Sequence, residues 1–199
     1  MTPRQKEQQE RIFSVVKESV STSGYEGVTM REIAKAAGVA TATLYNQYSS
    51  KDDLVMAVFR DSIFKVSGFN RSEFDDPVQY FFARTRAIYA DLVKNPNFAR
   101  AMLKVFFNAP PEAEIVEIIT KIRLKADEMI VEELAGSGLL LPGIDKKSAA
   151  MRLTANSLSG LLYWVKGFLP TDEVPEYIRE RDVEVFEAIL NIEGRKLLP

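Results

Sequence analysis

The sequence predicts an all-α protein in two parts, an N-terminal three-helix helix-turn-helix head and a C-terminal helical bundle. Apolar residues recur at three- and four-residue spacings along most of the chain, no stretch shows convincing strand alternation, and residues 29–51 read as two short helices about a glycine turn. With 199 residues, 46% of them hydrophobic, the chain can bury a sizeable core. It contains no Cys and no His. Disulfides, thiolate metal sites and Ser-His-Asp or Cys-His catalysis are therefore ruled out, and no cofactor, metal or enzymatic activity is expected.

Taken in order, the first helix is expected at about 4–22, where Ile12, Val15, Val16 and Val20 form one buried stripe. Ser23 to Gly27 is a turn. Thr29 with Glu32 three residues on is a capping-box pair, so the next helix starts there, with Ile33, Ala34 and Ala37 on its apolar face. Gly38 supplies the left-handed backbone that ends it, Val39 plugs the turn, and the following helix turns Leu44 and Tyr48 inward. A plain helical hairpin would explain those small and apolar residues. It would not explain the outward face of the second helix, where Thr41, Ala42, Thr43, Tyr45, Asn46 and Gln47 combine hydroxyl, methyl, phenol and amide groups with no acid. Such a face suits a major groove: amides pair with adenine edges, methyls meet thymine methyls, and hydroxyls reach phosphates. Lys51 adds a phosphate-seeking charge.

Another helix is expected at 52–66, with Leu54, Val55, Val58, Phe59 and Phe64 inward, followed by a loop at 67–77. Helices are then expected at 78–94, 97–107 and 112–135, separated by Asn95-Pro96 and Pro110-Pro111 and closed by Gly136-Ser137-Gly138. The last two, at about 146–168 and 175–192, are apolar on more than one side and have more surface to hide than their own chain covers. The bundle is rich in aromatic and soft apolar residues, which together can line a cavity between helices. Met102, Phe106 and Tyr163 are candidate walls, and Arg84 (or Arg86), Asn156 and Ser159 candidate polar contacts that orient a ligand; each also has a plain reading as core or surface.

Charge is unevenly divided. The chain carries −2 overall, but residues 1–51 hold seven basic against five acidic residues, leaving 19 basic against 23 acidic in the rest. Local positive charge is what a polyanion meets. The start of the chain carries no secretory signal and no window is long and apolar enough to span a membrane, so a cytoplasmic protein is expected.

Gly24-Tyr25, Thr29, Ile33-Ala34, Ala37-Gly38-Val39, Thr43-Leu44-Tyr45, Tyr48 and Ser50-Lys51 together resemble the N-terminal signature of the tetracycline-repressor (TetR) family of bacterial transcriptional regulators, over roughly residues 8–56. Two positions depart from it. Ala40 stands where a capping Ser is usual, so the cap of the reading helix is expected from Thr41 or from water, and Gln47 replaces a common His. The resemblance implies a homodimeric, ligand-responsive regulator, most often a repressor, with a DNA-binding domain at 1–51, a connector helix at about 52–66 and a ligand-binding and dimerisation domain at 67–199. It further implies that the helix at 41–48 reads a palindromic operator and that the last two helices pair with their copies. Tyr45, Thr43 and Lys51 would contact mainly phosphates, and Arg31, Thr41, Ala42 and Asn46 could touch bases. The effector would be a small hydrophobic or aromatic molecule. Two rivals are a helical apolar-ligand-binding protein or enzyme whose N-terminal part contacts a protein partner, and a ligand-blind architectural DNA binder. The first lacks any evident chemistry without His or Cys, and the second fits poorly with a polar, weakly charged reading face.

Overall fold

The structure, a computed structural model, describes residues 2–66 and 70–199, the side chains at 63–66 excepted. The helices are α1 (Pro3–Ser23), α2 (Met30–Ala36), α3 (Thr41–Gln47), α4 (Lys51–Val66), α5 (Pro77–Lys94), α6 (Pro96–Asn108), α7 (Glu114–Gly136), α8 (Lys146–Lys166), α9 (Val174–Ile189) and α10 (Ile192–Arg195), with a single 3-10 turn at Arg71–Glu73. No strand occurs among the described residues; one isolated bridge joins Leu140 and Leu190. The all-α expectation therefore holds. Phe64 and residues 67–69, on which part of the connector reading fell, lie outside the described side chains and residues.

Local chemistry sets the helix ends. Thr2 and Gln5 form a reciprocal capping box at the start of α1, ahead of Pro3 in the first turn. Asp76 caps α5 by accepting from the Gln79 amide at 2.8 Å, and Pro77 again occupies the first turn. The helix expected at 175–192 stops at Ile189: Leu190 turns extended and bridges Leu140, and Asn191 then caps the separate four-residue α10, so Ile192 begins a new helix rather than ending the old one. Likewise α8 stops at Lys166 because Gly167 adopts φ 83°.

Three apolar cores result. The first joins α1, α2, α3 and α4 around Ile12, Val16, Ile33, Leu44, Leu54 and Val58, and it also takes in Phe98 and Met102 of α6. Phe13, absent from the predicted stripe, is buried there against Tyr48. The second lies among α5, α7, α8 and α9, where the Phe81 and Phe186 rings meet edge-on at 4.9 Å. The third, around Tyr89, Leu103, Leu161, Trp164 and Ile178, ties α6 to α8 and α9.

The small residues of α8 serve close packing within the chain. A Cβ built on Gly160 would lie 2.7 Å from Ile178 Cγ1, so α9 rests directly on the α8 backbone there. Gly160→Ala is therefore expected to destabilise the fold by about 1–3 kcal/mol through overpacking. Urea unfolding of the two proteins measures this, and an unchanged midpoint would show that Ile178 gives way freely.

Candidate nucleic-acid interface and internal cavity

The turn between α2 and α3 is built as the residues require. Thr29 accepts from the Glu32 amide at 3.3 Å, and its hydroxyl donates to the Glu32 carboxylate at 2.7 Å. Glu32 thus holds the capping hydroxyl rather than the Thr29 backbone amide that a full capping box would engage. At the other end Gly38 has φ 63°, its amide donates to the Lys35 carbonyl, and the Val39 amide donates to the Ala34 carbonyl at 3.0 Å. This double bond pattern satisfies two terminal carbonyls and reverses the chain.

Ala40 is itself the N-cap of α3, with an extended backbone and no side-chain cap. The helix begins at Thr41 without a shift, and Thr41 sits inside its first turn, so the expected Thr41 cap does not form. Leu44 and Tyr48 anchor α3 inward, Tyr48 meeting Phe13 at 6.3 Å. Ala42, Tyr45, Asn46 and Gln47 are exposed, Thr41 and Thr43 half-buried, and Arg31 is exposed on α2. Tyr45 is 52% exposed, so its phenol is free to meet a partner.

Lys51 differs from expectation. Its ammonium donates to the Tyr25 carbonyl at 3.2 Å and lies 4.4 Å from the Tyr25 ring centroid, while the Tyr25 hydroxyl donates to Asp52. Lys51 therefore fastens the 24–27 turn to the start of α4 and keeps only its remaining donors for a phosphate. Burial, then the Asp52 bond, raises the Tyr25 pKa.

Between the head and the bundle lies a cavity of about 190 Å³. Its walls are mainly apolar and come from both units: Lys17 of α1 and Phe59 and Ser62 of α4 face Ile88, Leu92, Phe98, Leu103, Ile119 and Leu161. Of the residues expected to contact a ligand, Arg84 lines it, through a side chain that is nearly buried. The other five lie elsewhere. Met102 is wholly buried in the first core, and Phe106 stacks edge-on against Phe107. Asn156 donates to Asp182 at 2.7 Å. Ser159 is exposed and donates to the Asn156 carbonyl, and Tyr163 is 46% exposed. On α8 it is Ser157, Leu158 and Leu161 that face this cavity.

Behind the cavity sits a polar cluster that sequence reasoning missed. Asp127 is fully buried and accepts from Arg123 Nε at 2.9 Å and the Thr154 hydroxyl at 2.8 Å, with Arg84 Nη2 at 3.7 Å. Asp182 is also fully buried. Its signal was present in the sequence, an acid at an apolar-stripe position between Ile178 and Phe186. Burial pushes its pKa up to about 7, against the opposing pull of Arg123 and the Asn156 amide, with Asp127 adding to the rise.

A short helix displayed by a tight turn, beside a cavity-bearing bundle, defines the architecture of a helix-turn-helix protein. Residues 12–58 match the family model for bacterial regulatory proteins of the tetR family. The chain is 26% identical, over 81% of its length and 72% of the relative's, to the HTH-type transcriptional repressor KstR of Mycobacterium tuberculosis. Its fold matches that of TylP, a TetR regulator from Streptomyces fradiae, with TM-score 0.78 at 17% identity, covering 98% of this chain and 92% of that one. SmeT, the repressor of the Stenotrophomonas maltophilia multidrug efflux pump SmeDEF, gives 0.77 at 18% identity, with 96% and 95% covered. The family match thus falls on the N-terminal helices α1 to α4, and the fold of the whole chain is shared with these regulators.

The raised Asp182 pKa links stability to pH. The folded state holds this proton more tightly than the unfolded chain, so the contribution is complete below about pH 4 and is lost as pH climbs to about 7. Asp182→Asn keeps an oxygen for the Asn156 amide and removes the charge. Thermal melts at pH 5 and pH 8 are expected to show the variant gaining on the native protein at the higher pH. Parallel melting curves would contradict the assignment.

Proposed function

We propose that the protein is a homodimeric repressor that binds a near-palindromic operator through two copies of α3 and leaves it when a small, largely hydrophobic molecule enters the cavity. Residues 1–51 act as the reading head, 52–66 as connector and 67–199 as the effector-binding and dimerising part. The observation that carries this reading is the shared wall of the cavity: Lys17, Phe59 and Ser62 belong to helices that support the head, and the facing residues belong to the bundle. An occupant that fits one relative setting of these walls better than another shifts the head between two positions. Two copies of α3 must enter successive major grooves about 34–36 Å apart, so a change in their separation breaks the match to both half-sites.

On the head, Arg31, Thr41, Ala42 and Asn46 are assigned to base edges and Thr43, Tyr45 and the remaining donors of Lys51 to phosphates. Dimerisation is assigned to α8 and α9. Met151, Tyr163 and Phe168 are exposed along and just beyond α8, the last at 80%, and a second copy of the same face would cover them.

Replacing both Tyr45 and Asn46 with Ala is expected to weaken binding to DNA from upstream of the protein's own gene by about 10- to 100-fold in a gel-shift titration. Full affinity in that variant would remove α3 as the reading surface. Tyr163→Glu is expected to convert the dimer to monomer in sedimentation velocity, and a variant that still sediments as a dimer would move the interface elsewhere.

A further inference from the structure

The charged groups on the cavity wall are unbalanced. Lys17, Arg84 and Arg123 line it against a single acid, Asp91. Arg84 is 8% exposed and the Arg123 side chain 13%, so neither guanidinium is well hydrated. Each carries five N–H donors in a planar fork. Their acceptors are few: Asp127 takes Arg123 Nε at 2.9 Å, Arg84 Nη2 stands 3.7 Å from its other oxygen, beyond hydrogen-bond reach, and Arg84 also meets the Tyr80 side chain. Arg84 Nε and Arg123 Nη2 have no acceptor at all. Burial, and then the neighbouring Arg123, lower the Arg84 pKa, whereas the Arg123 pKa is raised, its burial being outweighed by Tyr89, Asp127 and Asp182. Asp182, the second buried acid, accepts from Asn156 through Oδ1 and reaches neither guanidinium with a hydrogen bond, its Oδ2 having no such partner.

The rest of the wall is apolar, with Ile88, Leu92, Leu103, Ile119, Leu158 and Leu161 around a space smaller than the roughly 300–1,000 Å³ of drug-sized ligand sites. A neutral apolar ligand would leave both guanidiniums underpartnered, and a cationic one would add a third like charge. A carboxylate offers two oxygens in the spacing that guanidinium forks accept.

Building on the reading of this cavity as the effector site, we propose that its occupant is a small amphipathic acid, whose single anionic head is held by Arg84 and Arg123 and whose short apolar body lies against α5, α6, α7 and α8. Selectivity then resides in the head group, and the apolar walls supply affinity shared by any molecule of similar size.

The test compares octanoate, octanol and octylamine by titration calorimetry on the full-length protein, with release from the upstream DNA measured in parallel. Octanoate is expected to bind at least about tenfold more tightly than either isostere. Arg84→Met is expected to abolish that preference. Equal binding of octanoate and octanol, binding of none of the three, or an intact preference in a folded Arg84→Met protein would each overturn the proposal. Should Arg84→Met fail to fold by circular dichroism, Arg84→Gln carries the same comparison, and the three-ligand contrast on the native protein stands without any variant. Preferential octanoate binding that leaves the DNA complex intact would support the acid-binding site and refute the effector role.

Discussion

The insertion of α6 into two cores at once governs the rest of this molecule. Phe98 and Met102 are buried among α1 and α4, while Ala99 and Leu103, on the adjoining face of the same helix, are buried with Leu161 and Trp164 of α8. Large apolar side chains in close-packed interiors do not slide continuously; they repack between discrete arrangements. The head therefore cannot change its setting without carrying α6, and α6 cannot move without disturbing the bundle. Because Phe98 also lines the cavity, anything lodged there touches the helix that joins the two units. The packing thus crosses the 52–66 connector at which the family resemblance implies a division.

Against this apolar framework the Arg84–Arg123–Asp127–Asp182 cluster is an unfavourable feature by itself. Buried ions recover their desolvation only with good geometry and full hydrogen bonding, and here several polar atoms, including Asp127 Oδ1 and Asp182 Oδ2, remain without partners. Hydrophobic residues of similar volume would hold α5, α7 and α9 together at least as well. Such an arrangement makes sense where selectivity matters more than rigidity. The charged groups of the cluster stand on helices of the bundle, whereas Phe59 brings the apolar wall to α4.

Much of this was legible in the sequence, because the strongest signals were local. The Thr29 cap, the left-handed Gly38 and the inward Leu44 and Tyr48 depend on neighbours within a few residues, and those features stood as read. Helix boundaries followed Pro and Gly closely except near Leu190, whose extended turn is set by a partner fifty residues away, Leu140. Residues of the cavity were far less accessible. Periodicity identifies a buried face but does not say whether that face meets a neighbour or an empty space, and on the crowded α8 the cavity is lined by Ser157 and Leu161 while Ser159 and Tyr163 are exposed and half a turn away. Lys51 was read as a free cation because nothing local announced the Tyr25 ring beneath it. Asp127 and Asp182 interrupt apolar stripes, a discord between residue type and pattern that often marks function and that went unused.

The chain contains one tryptophan, and its surroundings give the protein a built-in optical reporter. Trp164 is fully buried, donates its indole N–H to the Thr171 hydroxyl at 3.0 Å, and has the Arg100 guanidinium 5.1 Å from its ring centroid. Arg100 belongs to α6 and shares the same hydroxyl at 3.2 Å. Indole emission responds to nearby charge, so the fluorescence of the unlabelled protein reads the position of α6 against α8. The coupling between head and bundle can thus be followed in solution, in real time and without introducing a dye.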